Sequence, residues 1–435
     1  MPTRILHNSE KLCAFLDGLQ VDLYQPQRRH LLNLADALLV CDEEKTLAAR
    51  QRQFVEAPDV SNMADFLRIS PWQAADLRQG LRECQLKWLI AEGERTDAPH
   101  CLYINLDDSL GAKDKATRHL EPVEWHYDHT ESRKGKPRYK NGICFLACTV
   151  RNGVHVATVD LRIYLREKTA RRLNRKRSAE TRLPFRSKNS LAHMILEALR
   201  PLLPTGWQVY VQFDSWYASK RLIKYVRRQG WHVTCALKPG ALWARLLDGL
   251  RLDKHAQAMR HRRYTRVRVT ATDNQKTTYF VRRQDGRLAD IPHDVRVFFS
   301  KRHPSAHALA YILCTDLACS AKQALQGYCW RWRVPTGREV VNFYTKTQLG
   351  LTDFRVQSYE AVDKYMIVVH LAWAYVEFRF AQEQSAQVRT YGDIIRRHRD
   401  EHAVGWLTGA IDMVIETGDT QAVIEHFLRL QPTAA

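Results

Sequence analysis

The chain has 435 residues, 45% of them hydrophobic and 26% charged, with no biased tract; this exceeds one ordinary domain and excludes a disordered or fibrous protein. Lys and Arg number 67 against 47 acidic residues, a net charge of +20, and such an excess favours a polyanion, because each neutralised phosphate releases counterions. A membrane is the poorer partner: residues 1–11 lead into no apolar signal core, and the longest apolar stretch, Met366 to Phe378, is short and contains His370 and Glu377.

Residues 1–95 read as helical, with Leu31, Leu32, Leu34, Leu38 and Leu39 at three- and four-residue spacing. Asn62 to Cys84 predicts two short helices with a tight junction, Ser70 capping the second and Pro71 in its first turn. That pattern suits a DNA-contacting helix-turn-helix and also a plain core pair. A polar linker, Glu92 to His100, precedes the apolar run Cys101 to Leu106, which stops at Asp107-Asp108-Ser109. Gly142 to Val150 and Val154 to Leu165 are β-rich and joined by Arg151-Asn152-Gly153, a hairpin signal. The basic stretch Arg166 to Lys188 holds ten Lys or Arg residues. A helix (Leu191 to Leu199) and a strand (Gln208 to Phe213) lead to Asp214, and a helix from Tyr217 to Arg228 leads through Gly230 to the strand Trp231 to Leu237. Residues 239–320 are β-rich again, and helices return from Lys322 onward. The ten cysteines form no CxxC pair and read as buried thiols in a reducing cytoplasm. His126-Tyr-Asp128-His129 lacks a third ligand at recognisable spacing and reads as a surface loop.

Strand, strand, strand, helix, strand, helix, strand is the order of a ribonuclease-H-like sheet. The expected class is therefore α/β, a ribonuclease-H-like mixed sheet with a β-rich insertion and a helical N-terminal domain. The expected division is a helical DNA-binding domain over 1–95, a catalytic domain over 100–238 and 321–385, an insertion over 239–320 and a helical C-terminal region over 386–435. Phosphodiester cleavage needs an activated water and a stabilised leaving oxygen, which two divalent ions about 4 Å apart supply when oxygen ligands hold them. Acids after two strands and one on a downstream helix, Glu339, form such a set.

Glu339-Val-Val-Asn-Phe-Tyr-Thr-Lys346, followed by Leu349-Gly350-Leu351 and preceded by Tyr328-Cys-Trp-Arg331-Trp332, resembles the C-terminal signature of bacterial insertion-sequence DDE transposases. The Tyr-to-Arg and Glu-to-Lys spacings match, but seven residues rather than three separate Arg331 from Glu339. Val-Gln-Phe-Asp214-Ser-Trp-Tyr is similar to the family's second-aspartate block and Asn-Leu-Asp107-Asp108-Ser to its first, where the Asp before a hydroxyl residue is the ligand. That favours Asp108 over Asp107; strand alternation adds that only one of the two can face the metals.

The resemblance implies metal ligation by Asp108, Asp214 and Glu339, with two Mg2+ ions for which Mn2+ can substitute. It implies that Tyr328, Arg331 and Lys346 bind the transposon end. Trp330 and Trp332 are candidates for stacking on an extruded base. Arg172, Arg175, Lys176 and Arg177 are candidates for backbone contacts. The expected activity is cleavage at transposon ends and strand transfer, by a homodimer on double-stranded DNA (terminal inverted repeats and target), in a bacterial cytoplasm at the nucleoid. The rivals are a nuclease of the same fold without strand transfer and a domesticated DNA-binding protein.

Overall fold

The computed structural model describes residues 5–428, except 129–130, 134, 239, 242, 247–248, 259–263, 271–275, 332–337 and the side chains of Arg338, Glu339 and Leu428. Ten strands among these residues join in one mixed sheet. β1 (Cys101–Ala112), β2 (Glu124–Tyr127), β3 (Tyr139–Asn152) and β4 (His155–Tyr164) come first, then β5 (Gln208–Phe213) and β6 (His232–Ala236). β7 (Thr265–Thr270), β8 (Lys276–Gly286), β9 (Val295–Lys301) and β10 (Ala310–Cys314) follow. The spatial order is β2-β3-β1-β5-β6-β10-β9-β8-β7, with β4 also on β3. β3 pairs antiparallel with β1 and β4, whereas β1, β5 and β6 are parallel, as a ribonuclease-H-like sheet requires.

The Asn-Gly hairpin forms where the sequence places it: Asn152 pairs with His155, and Gly153 turns the chain at a φ of 57°. β10 pairs antiparallel with β6, so the four strands of the β-rich segment continue the same sheet.

Helices α1 (Glu10–Asp17), α2 (Gln25–Val40), α3 (Leu47–Gln51), α4 (Val60–Arg68) and α5 (Ala74–Arg95) make the N-terminal region. α4 and α5 are the expected pair, but Gln73 rather than Ser70 precedes the second helix. Ser70 and Pro71 belong to the junction, where Trp72 stacks on Phe66 at 4.9 Å and donates to its carbonyl. Met63, Phe66, Leu67, Leu77 and Leu81 of this pair are buried in one core with α12 (Tyr359–Glu383). The apolar stretch Met366 to Phe378 is thus the middle of a core helix; no described helix is long and apolar enough to cross a membrane.

Three buried contacts fix α12 and α5 on β4. Asp160 takes an ion pair from Arg82 at 2.6 Å and one from Arg162 at 3.1 Å. Arg78 bridges to Asp363 at 2.7 Å. Glu377 accepts from Gln85 and from both the amide and hydroxyl of Thr158.

α6 (Glu167–Asn174), α7 (Lys188–Leu199), α8 (Lys220–Arg228), α9 (Leu252–Ala258), α10 (Ala321–Cys329) and α11 (Arg338–Phe343) lie between these regions, and α13 (Tyr391–Thr417) and α14 (Thr420–Leu428) close the chain. His126 and Asp128, expected on a surface loop, are buried in and beside β2 because that strand pairs with β3.

Candidate active site

β1 does not stop at its acids. It runs through Asp107 and Asp108 to Ala112 because β3 continues to pair with it there. Its parallel neighbour stops earlier, the last pair being Asn105 with Gln212. Asp107 and Asp214 each stand two residues beyond that pair, so their side chains project in phase and on the same side. Asp107 lies opposite Ala147 and Asp108 opposite Leu146; directly opposed residues share a face. Ala147 belongs to the core of α12, and Leu146 to the core of α7 and α8. The adjacent acids therefore point to different sides of the sheet.

On the α12 side, Arg331 Nη2 lies 3.2 Å from Asp107 Oδ2. Its guanidinium sits 5.2 Å from the centre of the Tyr328 ring. Tyr328 is in the last turn of α10 and Arg331 just beyond its end; α10 comes close to the sheet at Gly327, where a Cβ would meet Gln212 Nε2 at 2.6 Å. Burial, and next the Asp107 charge, push the Asp214 carboxyl up, while Arg331 and the amides of Trp216 and Tyr217 pull it down. Those amides donate to Asp214 Oδ1 at 2.8 and 3.3 Å, fixing the carboxylate at the strand end. Burial depresses Arg331, but Asp107, Tyr328 and Asp214 together raise it, so it stays a cation. Nε and Nη1 of Arg331 have no hydrogen-bond partner among the described residues.

Lys346 reaches the same side. Its Nζ donates to Ser109 Oγ at 2.7 Å and to the Leu110 carbonyl at 2.8 Å, two and three residues beyond Asp107. It belongs to a wide turn, Tyr344–Gln348, of π-helical hydrogen bonding that continues α11. Glu339 is on α11, seven residues and two turns before Lys346; its side chain lies outside the described residues. Leu349-Gly350-Leu351 terminates this segment: Gly350 has a φ of 58°, and both leucines are buried. Trp332 and the segment 332–337, which carries the extra spacing, also lie outside the described residues. Trp330 packs edge-on against Tyr103 at 4.8 Å, with Arg151 over its ring at 5.1 Å.

On the α7 side, Asp108 accepts from Lys188 Nζ at 2.6 Å and from the Tyr217 hydroxyl at 2.8 Å. Cys144 lies 3.6 Å away, and burial, then Asp108, push its thiol up to about 12. Lys188 is lowered by burial, but Cys144 and Asp108 outweigh this and raise it. Asp108 is thus enclosed by a cation, a phenol and a thiol. Lys188 and Tyr217 escaped the sequence reading, although each lies in a block it singled out: the basic run and the Asp214 motif.

Of the basic candidates, Arg172, Arg175 and Lys176 are exposed around the end of α6. Arg177 differs: its guanidinium ion-pairs with Glu121 at 2.9 Å and with Glu360, joining this loop to the start of α12.

The chemistry of the donor set suits divalent cations. Two carboxylates on one face, one of them resisting ionisation through burial and its neighbour, are relieved by positive charge between them. An arginine already supplies part of that charge.

A DDE superfamily endonuclease family matches residues 16–284, a span that includes Asp107, Asp108 and Asp214 and ends before Glu339. No curated protein matches the chain. Among solved structures, the piggyBac transposase synaptic complex with hairpin DNA is similar at 12% identity and a TM-score of 0.42, over 96% of this chain and 78% of that one.

Proposed function

Since the chain belongs to the DDE superfamily of endonucleases, we propose that it is a DNA transposase that cuts transposon ends and joins the freed 3′-hydroxyls to target DNA. The carrying observation is the phase of β1 and β5, which puts Asp107 and Asp214 on one face with Arg331 and Lys346. In this reading Asp107, Asp214 and Glu339 hold the metal pair, Mg2+ with Mn2+ as substitute. Bound there, the ions would activate water or a 3′-hydroxyl and stabilise the leaving oxygen.

The rest falls to the chain's own groups. Arg331 lies against Asp107 and lowers the Asp214 carboxyl against the upward push of burial and of Asp107; its guanidinium is of the kind that forks onto phosphate oxygens. Lys346 holds the far end of β1 and adds positive charge where the scissile strand would lie. Asp108, which the family resemblance favours as a ligand, acts in this reading from the far side: Lys188 and Tyr217 clamp it and so fix β1 beneath Asp107. Arg172, Arg175 and Lys176 contact the DNA backbone. Two copies, one for each transposon end, complete the assembly.

The test uses an oligonucleotide duplex carrying the terminal inverted repeat, intact and pre-cleaved, with Mg2+. Cleavage and joining are both expected. Cleavage without joining of pre-cleaved ends would reduce the protein to a nuclease. Full metal-dependent cleavage by Asp214→Asn would remove the carboxylates from the mechanism.

A further inference from the structure

Far from the sheet, α2 meets α13 at a cluster that the cutting chemistry does not use. His398 and His402 are four residues apart on α13 and so share one face of the helix. Both direct Nε2 at Oδ1 of Asp36 on α2, at 2.7 and 2.8 Å. The other oxygen, Oδ2, accepts from the Ser9 amide at 2.8 Å. Asp36 is wholly buried, and His398 and His402 are 1% and 8% exposed.

From this geometry we infer a divalent transition-metal site, most suited to Zn2+, formed by Asp36 Oδ1, His398 Nε2 and His402 Nε2. The three ligand atoms lie within 4.8 Å of one another. Imidazole and carboxylate donors suit zinc, which sits about 2.0–2.2 Å from each in a tetrahedral site. Ligand atoms around such an ion stand about 3.3 Å apart, so each His–Asp contact needs to open by only about 0.5 Å, within reach of small side-chain rotations. Both imidazoles are neutral ligands if the ring proton sits on Nδ1. For His398 the acceptor of that proton is in place, the Tyr375 hydroxyl at 3.4 Å, the kind of outer contact that orients metal-bound histidine.

Two further observations favour an ion. Among the described residues the buried carboxylate contacts no lysine or arginine; its partners are two imidazoles and one amide. The cluster also lies beside solvent, because His402 lines a cleft of about 380 Å3 with His7, Glu10, Glu401 and Trp406. The bound ion would pin the C-terminal helix to the N-terminal helices, a structural staple independent of DNA cleavage.

The experiment titrates Zn2+ into the untagged full chain in large excess of Mg2+, which competes for the carboxylates proposed for the active site. One tight Zn2+ per chain and a raised Tm are expected. With Co2+ in place of zinc, intense visible bands of a low-coordinate, nitrogen-ligated ion should appear. His402→Gln, at the more open ligand, should weaken binding by more than about 100-fold and abolish the bands while leaving Mg2+-dependent cleavage unchanged. Absence of stoichiometric Zn2+ binding, or only the pale spectrum of octahedral, oxygen-ligated Co2+, would overturn the site in the wild-type protein alone. Equal binding by a folded His402→Gln variant would also overturn it.

Discussion

Arg331 ion-pairs with Asp107 at 3.2 Å on the side of the sheet that carries Asp214, whereas Asp108, the next residue, is held at 2.6 Å by Lys188 on the opposite side. Two neighbouring acids thus have different surroundings and different expected roles. Asp107→Asn should abolish Mg2+-dependent cleavage, as Asp214→Asn should. Asp108→Asn, which on the proposed reading changes a support rather than a ligand, should retain activity reduced by about 10- to 100-fold. Single-turnover cleavage of a terminal-repeat duplex measures both; the reverse ranking would return the ligand role to Asp108.

Exposed and tied arginines should separate in a DNA-binding titration. Replacing Arg172, Arg175 and Lys176 together by Ala should weaken binding to all sequences alike. It should lower the slope of log K against log salt by about 3, roughly 0.9 for each phosphate no longer neutralised. Arg177→Ala should change that slope little and instead lower the unfolding midpoint, because it strands Glu121 and Glu360. An unchanged slope in the triple variant would remove this surface from the DNA interface.

Asp160 is fully buried, and although burial raises its carboxyl, Arg162, Arg82 and Arg78 pull it down to about 2. Its folded value lies below the ordinary 3.8, so the native state binds fewer protons than the unfolded state at acid pH. The stabilisation is complete above 3.8 and is lost as pH falls from there through about 2. Asp160→Asn should cost about 3–5 kcal/mol at neutral pH by leaving buried guanidinium groups uncompensated. Denaturant unfolding reads this directly.

Glu377 has the opposite sign. Burial pushes its carboxyl up to about 8 against an ordinary 4.5, more than the donors from Thr158, Trp373 and Gln85 pull it down. Between those values the folded protein keeps a proton that the unfolded chain has released, so stability falls as pH rises from 4.5 to about 8. Glu377→Gln should flatten that part of the pH–stability curve and make the variant the more stable form at pH 9. Chemical denaturation across the pH range is the measurement; a variant curve parallel to the wild type would contradict the assignment.

Much of this architecture was legible because its signals are local. The Asn152-Gly153 turn, the acid after Phe213 and the period of residues 101–106 each depend on near neighbours. The phase of β1 was legible too: Leu102, Ile104 and Leu106 are the packed side, so Asp107 follows Tyr103 and Asn105 onto the other, and Asp108 continues the packed side. The family motif pointed to the hydroxyl neighbour instead, and the alternation alone did not say which side the metals occupy. The proposed side rests on α10 and Lys346, brought in from more than 200 residues away. The continuation of β1 past its acids was hidden for the same reason: β3, not the composition of β1, extends it. Arg177 read as one of a basic run because Glu360, its partner, lies 183 positions downstream.

The N-terminal helices and α12 share one apolar interior, with Leu34, Leu38, Phe66 and Leu81 on one part and Tyr365, Val369 and Trp373 on the other. For protein engineering this means that residues 1–95 are not an exchangeable cassette. Grafting a foreign DNA-recognition domain in their place would leave half an interior open to water, and the chimera would aggregate before its specificity could be assayed. Retargeting should begin at exposed positions and leave that shared interior intact.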